Sequence, residues 1–319
     1  MEARLVIPLF LVITPSVTWV LLKQLYSPWW LENISSTPLV ILLLYLILMV
    51  VLLPYLSYVH CITYFAANVI FVIALNNLPL QTKNLHAETY RLFQFNMKYH
   101  DTKQELDELL EYLNDEEYHL IALQGVSQQA KQYIIEKLSP NYPNFITGEN
   151  RQVEAYSDQL VFSPFSFSGI KYYKTDHSVL LISSIWHPGE EVFNLYTLHP
   201  PSPRNEKLWL KRNKTLYQLK QALNYAKQEA LPVRETIVLG DLNLSKHSSR
   251  LTRLFTDMDT RPVNSWPNFV FIPNFLALAI DHVWVSKGIF ICARERVGQY
   301  AWSDHYAIKT CLTLDNEND

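Results

Sequence analysis

"TIVLGDLN" (residues 236–243) reads as a short buried strand that runs into a polar turn. Ile237, Val238 and Leu239 form the apolar run, and Gly240 closes it with a backbone free to bend tightly. Asp241 and Asn243 are two apart, and on an extended chain such residues point the same way. A carboxylate and an amide therefore converge on one small region. Asp and Asn are also common turn formers, so the tetrapeptide alone leaves a structural reading open.

Other polar residues sit at strand ends, where a rigid sheet can hold chemistry on short loops. "SDH" (303–305) precedes the last apolar strand and offers Asp304 as a metal ligand or anion and His305 as a titratable base. "IDH" (280–282) supplies Asp281 and His282. An aspartate bonded to a histidine fixes its tautomer and raises its basicity, and Asp281 with His305 is the expected pair. "LHPPSP" (198–203) sets His199 at a strand end, and Asn96 ends "YRLFQFN" (90–96). Each alone is equally a surface turn, a cap or a solvated loop.

Between these motifs, strands and helices are interspersed. "DTKQELDELLEYLNDEE" (101–117) places Leu106, Leu109, Leu110 and Leu113 on one helical face, after a capping Asp101 or Thr102. "LIALQ" (120–124) is a buried strand, and 128–138 a helix. "DQLVFS", "SVLLISSIW" and "VFNLYTLH" follow as strands. A long helix is expected over 206–228, with Leu208, Leu216, Leu219 and Leu223 inward, and a short one over 249–258. "AIDHVWVS", "IFICARERV" and "AIKTCLTL" close the chain as strands. The pattern predicts an α+β layered domain with two packed mixed sheets flanked by helices.

Taken in order, FN (95–96), LQG (123–125), His199, GDLN (240–243), IDH (280–282) and SDH (303–305) resemble the motifs of the endonuclease/exonuclease/phosphatase superfamily. "SWP" (265–267) is similar to membrane-anchored bacterial members. The resemblance covers about 90–314 and implies a four-layer α/β sandwich that cleaves phosphoesters with Mg²⁺ or Mn²⁺. It implies His305 as the base that activates water, oriented by Asp281. Asp241 positions the water or binds metal, Asn243 holds phosphate or developing charge, and His199 stabilises the phosphoryl oxygens. Asn96 and Asp304 fall in the metal shell. Such chemistry needs positioning, charge neutralisation and an in-line water.

One position departs. Where the family carries the metal-binding Glu of "LQE", this chain has Gly125. "SDQLVFSPFSF" (157–167) also lacks the Arg of the usual "LSR" segment. Three accounts stand open: Glu149 or Glu154 substitutes, Asp304 and Asp241 hold metal with more waters, or the domain binds phosphate without catalysis.

The N-terminal quarter is of another kind. Leu5–Leu22 is an 18-residue run without a charge, and Leu39–Leu75 is a 37-residue stretch without Asp, Glu, Lys or Arg. A membrane helix needs about 20 apolar residues. Three spans are expected, about 5–22, 38–54 and 56–75, turning near Pro54-Tyr55, with Trp29, Trp30, Tyr55, Tyr58 and Tyr64 as interfacial aromatics. The stretch after Trp19 offers no signal-peptide cleavage site. Residues 1–75 are thus read as a membrane anchor, 76–88 as a linker and 89–319 as the phosphoesterase-like domain. Lys/Arg counts near the spans weakly favour a cytoplasmic domain. The expected location is a bacterial inner membrane, with the side of the domain left open.

Removing Arg4, Lys23, Glu2 and Glu32 leaves the domain with 25 basic against 28 acidic residues. Long nucleic acid is best bound by a basic surface, so a small or lipid-borne phosphoester is favoured. The spans carry no charge, which argues against a transporter or channel. Cys61 lies in the apolar stretch, and Cys292 and Cys311 can sit on neighbouring strands, but no metal spacing or disulfide framework is legible. The expected function is a membrane-anchored, divalent-metal-dependent phosphoester hydrolase, impaired to the extent that Gly125 removes a ligand. The alternative is an inactive phosphate-binding or interaction module of the same fold.

Overall fold

The computed structural model describes residues 19–22, 24, 28–55, 57–76, 89–148, 155–228, 234–269, 277–298 and 300–314. The chain divides into two compact units, Met1–Thr82 with His247–Leu251, and Lys83–Lys246 with Thr252–Asp319.

In the first unit, helices α1 (Trp29–Ser35), α2 (Pro38–Leu52) and α3 (Tyr58–Asn76) are separated by a short loop and by a 3₁₀ turn at Leu53–Tyr55. The break at Pro54 falls where the sequence predicts it, because a proline cannot continue the hydrogen-bond ladder. Most of the expected first span, residues 5–18, lies outside the described residues. No single helix among the described residues is long and apolar enough to cross a membrane, but α1 and α2 pass that test together as a pair bent by 82°. Val40, Leu43, Leu44, Ile47, Val50 and Val51 on α2 and Val59, Ile62, Phe65 and Ile73 on α3 are exposed.

The second unit is built on two six-stranded sheets. Its elements in chain order are β1 (Thr89–Asn96), α4 (Lys103–Asp115), β2 (Leu120–Gln124), α5 (Gln128–Leu138), β3 (Asn144–Ile146), β4 (Leu160–Ser163), β5 (Ser166–Thr175), β6 (Ser178–His187) and β7 (Phe193–Leu198). They continue with α6 (Glu206–Gln228), β8 (Thr236–Asp241), α7 (Ser249–Leu254, of which Ser249–Leu251 fall in the first unit), β9 (Met258–Thr260), β10 (Asp281–Ser286), β11 (Ile289–Val297) and β12 (Ala307–Leu314). One sheet runs β11-β12-β1-β2-β4-β3 and the other β5-β6-β7-β8-β10-β9. This is the expected architecture of two packed mixed sheets with helices outside.

The alternation of strand side chains assigns the layers. On β1 and β2, Phe93, Phe95, Ile121 and Leu123 pack with Leu106, Leu109, Leu113 and Ile134 of the covering helices. Their neighbours Leu92, Leu120 and Ala122 face the other way, onto Val179, Ile182, Leu195, Leu239 and Val283 of the second sheet. A one-residue slip would exchange the two sets, so the register is firmly fixed. The leucine face expected on 101–117 is the buried face of α4. On α6, Leu216, Leu219 and Leu223 are buried as expected, whereas Leu208 is half-buried and Trp209 turns inward.

Three strands escape the sequence pattern. β5 is a largely exposed edge strand with register shifts, so neither face carries an apolar alternation. β3 and β9 have three residues each. The helix expected over 249–258 ends at Leu254, and its tail supplies β9.

β1 runs parallel to β2, and β7 parallel to β8, while β4, β12 and β10 pair antiparallel beside them. The ends of β1, β2, β7 and β8 and the starts of β4, β10 and β12 therefore lie at one edge of the sandwich. One polar contact ties the sheets together below that edge. Ser163 Oγ on β4 accepts from Trp186 Nε1 on β6 (2.9 Å) and from Phe165 N (3.0 Å), and donates to His119 O (2.7 Å). Ser163→Ala strands a buried indole N–H and should lower unfolding free energy by about 1–3 kcal/mol in urea titrations. A cost near zero would show that the bond does not hold the sheets.

Candidate active site

β8 and β10 pair so that Asp241 lies directly opposite Asp281. Both are 1 % exposed. The approach of β7 to β8 explains Gly240, at φ +148°, where a Cβ would overlap Leu198 O. Past the strand, Asn243 takes a left-handed φ of 49°, which asparagine tolerates. Its N–H donates to Asp241 Oδ1 (2.8 Å), and its side-chain amide donates to Pro200 O (3.0 Å) and Asp241 Oδ2 (3.3 Å). Asn243 thus serves Asp241 as much as any ligand.

His305 lies beside this pair. Its Nδ1 is 2.8 Å from Asp281 Oδ2, as the sequence predicts, and its Nε2 is 3.7 Å from Asp241 Oδ2. The motif around it is braced from several strands. Ser303 Oγ donates to Asn96 O (2.7 Å) and accepts from His305 N (3.1 Å). Ser265 Oγ accepts from Asp281 N (3.2 Å), and Arg294 donates to Asp281 O (2.9 Å). Trp266 donates its indole N–H to Asp304 Oδ2 (3.2 Å). The "SWP" segment therefore props both acidic motifs.

His199 enters from the end of β7. Its Nε2 is 3.7 Å from Asp241 Oδ2, and its Nδ1 is 2.9 Å from Asp158 Oδ2. Asp158 also accepts from Tyr99 Oη (2.5 Å). Sequence reasoning missed Asp158. The available signal was an aspartate heading the strand "LVFS", at a sheet edge already rich in motifs. Asn96 Nδ2 completes the centre by donating to Asp241 Oδ2 (2.8 Å), with both imidazole Nε2 atoms 3.4 Å away.

The electrostatics follow from this packing. Burial alone would lower the pKa of both imidazoles, but Asp158 and Asp241 raise His199 to about 9, and Asp281, Asp241 and Asp304 raise His305 to about 9. Burial would raise Asp158 and Asp281, yet His199 and His305 respectively hold them below the usual carboxylate range. Asp241 is pushed up to about 6 by burial and by Asp281 across the strand pair, against the pull of the two imidazoles.

Gly125 follows β2 with φ +60°. Its carbonyl accepts from Tyr99 N (2.6 Å). A Cβ there would lie 2.5 Å from Asn96 Oδ1 and 2.9 Å from Lys98 N. The position is therefore not a site stripped of its side chain but a turn that admits none. The proposed substitutes Glu149 and Glu154 lie outside the described residues. The carboxylate next to this turn is Asp158, whose carbonyl accepts from Val126 N (2.9 Å) and whose side chain pairs with His199. The expected metal-shell residues are engaged otherwise. Asn96 spends Oδ1 on Lys98 N (2.9 Å), and Asp304 Oδ2 lies 2.9 Å from Lys98 Nζ.

The group that can take a metal among the described residues is Asp241, Asp281 and His305, whose ligating atoms lie within 4.8 Å of one another. Asp281 Oδ1 is buried with no hydrogen-bond partner, an acceptor left open in that group.

The chain has known relatives. The profile of the Endonuclease/Exonuclease/phosphatase family matches residues 92–305. The chain belongs to the endonuclease/exonuclease/phosphatase family. D. rerio TDP2 complexed with a single-strand DNA product is similar in fold (16 % identity, TM-score 0.56, covering 71 % of this chain and 99 % of that one). So is sphingomyelinase C from Streptomyces griseocarneus (13 %, 0.52, 70 % and 99 %). A beta toxin from Staphylococcus aureus with bound magnesium ions is also similar (14 %, 0.53, 70 % and 99 %). No curated protein is matched by sequence. At these identities the likeness establishes the shared sandwich, not a substrate. The left-handed turn at Gly125 sets the cost of a side chain there. Gly125→Ala should destabilise the domain by about 1–3 kcal/mol, and Gly125→Glu at least as much, rather than restore a ligand. Denaturant melts decide it, and a Glu variant as stable as wild type would refute the turn.

Proposed function

We propose that the chain is a membrane-anchored phosphoester hydrolase. The observation that carries this reading is the buried Asp281–His305–Asp241–His199–Asp158 cluster at the sandwich edge. Two imidazoles flank one carboxylate, and each is held by a carboxylate of its own. In this reading His305 Nε2 accepts the proton of an attacking water, while Asp281 keeps Nδ1 protonated and the ring in place. Asp241 orients that water. His199, held as an imidazolium by Asp158, donates to the phosphoryl oxygens as charge builds on them. Asn243 and Asn96 fix Asp241 and limit its choices.

The residues present fit a divalent cation. Hard ions such as Mg²⁺ or Mn²⁺ prefer oxygen, so Asp241 and the open oxygen of Asp281 would hold it, leaving His305 free for water. When bound, such an ion neutralises phosphoryl charge and acidifies coordinated water. The lack of a basic excess supports a small or lipid-borne phosphoester over long nucleic acid.

Anchoring is supported by the exposed apolar side chains along α2 and α3 and by the bent pair α1–α2. The Cys292–Cys311 disulfide, which joins β11 to β12, supports a location of the domain on the oxidising side of that membrane. It argues against the cytoplasmic placement suggested by Lys/Arg counts.

Three measurements test the proposal. Hydrolysis of bis(p-nitrophenyl) phosphate by the full chain in detergent, with Mg²⁺ or Mn²⁺, should fall about 10²–10⁴-fold in His305→Ala. A folded wild type without turnover would sink the hydrolase. The base form of His305 and the acid form of His199 are both needed. Because both groups are raised to about 9, kcat/KM should peak in the alkaline range and drop on either side. A flat profile would count against these roles. In a Cys61→Ser background the chain should resist alkaline carbonate extraction, and its cysteines should react with maleimide only after reduction. Free thiols in intact cells would overturn the oxidising placement.

A further inference from the structure

Lys98 and Tyr99 are consecutive non-glycine residues with φ of 51° and 64°. Side chains rarely adopt this backbone, and it persists where surrounding bonds over-determine it. Three do so here. Lys98 N donates to Asn96 Oδ1 (2.9 Å), Tyr99 N to Gly125 O (2.6 Å) and His100 N to Met97 O (3.1 Å).

The turn delivers two side chains to the two halves of the site. Tyr99 Oη reaches Asp158, the partner of His199. Lys98 Nζ lies 2.9 Å from Asp304 Oδ2, whose other oxygen is 4.0 Å from His305 Nε2. The lysine side chain is 51 % exposed and the aspartate 17 %. An ammonium has three N–H bonds, and a half-exposed one pinned to a carboxylate keeps bonds for an incoming anion. The same turn explains position 125, because a Cβ there would meet Lys98 N. A metal-binding carboxylate at 125 and this lysine turn exclude each other. The chain carries a cation, Lys98, on the side of the site where position 125 has no side chain.

We propose that Lys98 is a phosphoryl-binding residue, its ammonium held on Asp304 so that it contacts a non-bridging oxygen beside His305. This rests on the phosphoester reading above. The bland alternative is a half-exposed ion pair of little consequence.

Inorganic phosphate is the probe, titrated calorimetrically into the full chain in detergent with a chelator present. Lys98→Asn is the informative variant, since asparagine tolerates the left-handed backbone and removes the charge. Lys98→Arg keeps the charge, and thermal melts check that both fold. The phosphate Kd should rise about tenfold in Lys98→Asn and stay within about threefold of wild type in Lys98→Arg. KM should rise in step for whichever of p-nitrophenyl phosphate and its diester the chain hydrolyses, which separates monoester from diester substrates. Unchanged phosphate binding in Lys98→Asn, equal loss in both variants, or no binding by wild type overturns the proposal. Turnover that is lost in His305→Ala but indifferent to Lys98→Asn leaves the hydrolase standing and Lys98 refuted. Phosphate binding that depends on Lys98 in a chain without turnover does the reverse.

Discussion

Asp241 and Asp281 face each other across an antiparallel strand pair, both buried. Two carboxylates so placed repel, and burial penalises each charge further. The surrounding arrangement answers that constraint. His305 bonds Asp281 and approaches Asp241, and His199 approaches Asp241 from the end of the neighbouring strand β7 while Asp158 secures it. The acids raise the imidazoles, and the imidazoles lower two of the acids. Asp241 alone stays shared and elevated.

Gly125 takes its meaning from the same edge. Position 125 closes a turn in which the backbone of 97–100 folds over the end of β2. Its φ of 60° and the nearness of Asn96 Oδ1 and Lys98 N leave no room for a side chain. The cost of two left-handed residues at 98 and 99 is carried by bonds to Asn96, Met97 and Gly125. The glycine at 125 is therefore coupled to the conformation of the 97–100 backbone.

Much of the domain was legible because burial imposes periods that a chain displays locally. The leucines of α4 repeat at helical spacing, and β1, β2, β8 and β10 read as apolar runs ending in polar turns. The edge strand β5 was illegible because both its faces are largely solvated. The Asp281–His305 pair could be anticipated from two short motifs. Asp158 left only the weak signal of an aspartate ahead of a strand, since its role depends on β4 lying beside β2 and on His199 arriving from the other sheet.

By itself the sequence determined the layered α+β class, the strand-end motifs, the helical faces and the division between an apolar N-terminal quarter and a mixed domain. These depend on near-neighbour chemistry and on periodic burial. Only the tertiary structure decided that Gly125 is a left-handed turn, that Asp158 completes the histidine pairing, and that Lys98 reaches Asp304. Each of these joins residues brought together by the packing of separate loops at one sheet edge. Distances of that kind are set by register and sheet stacking, which no local stretch of chain encodes.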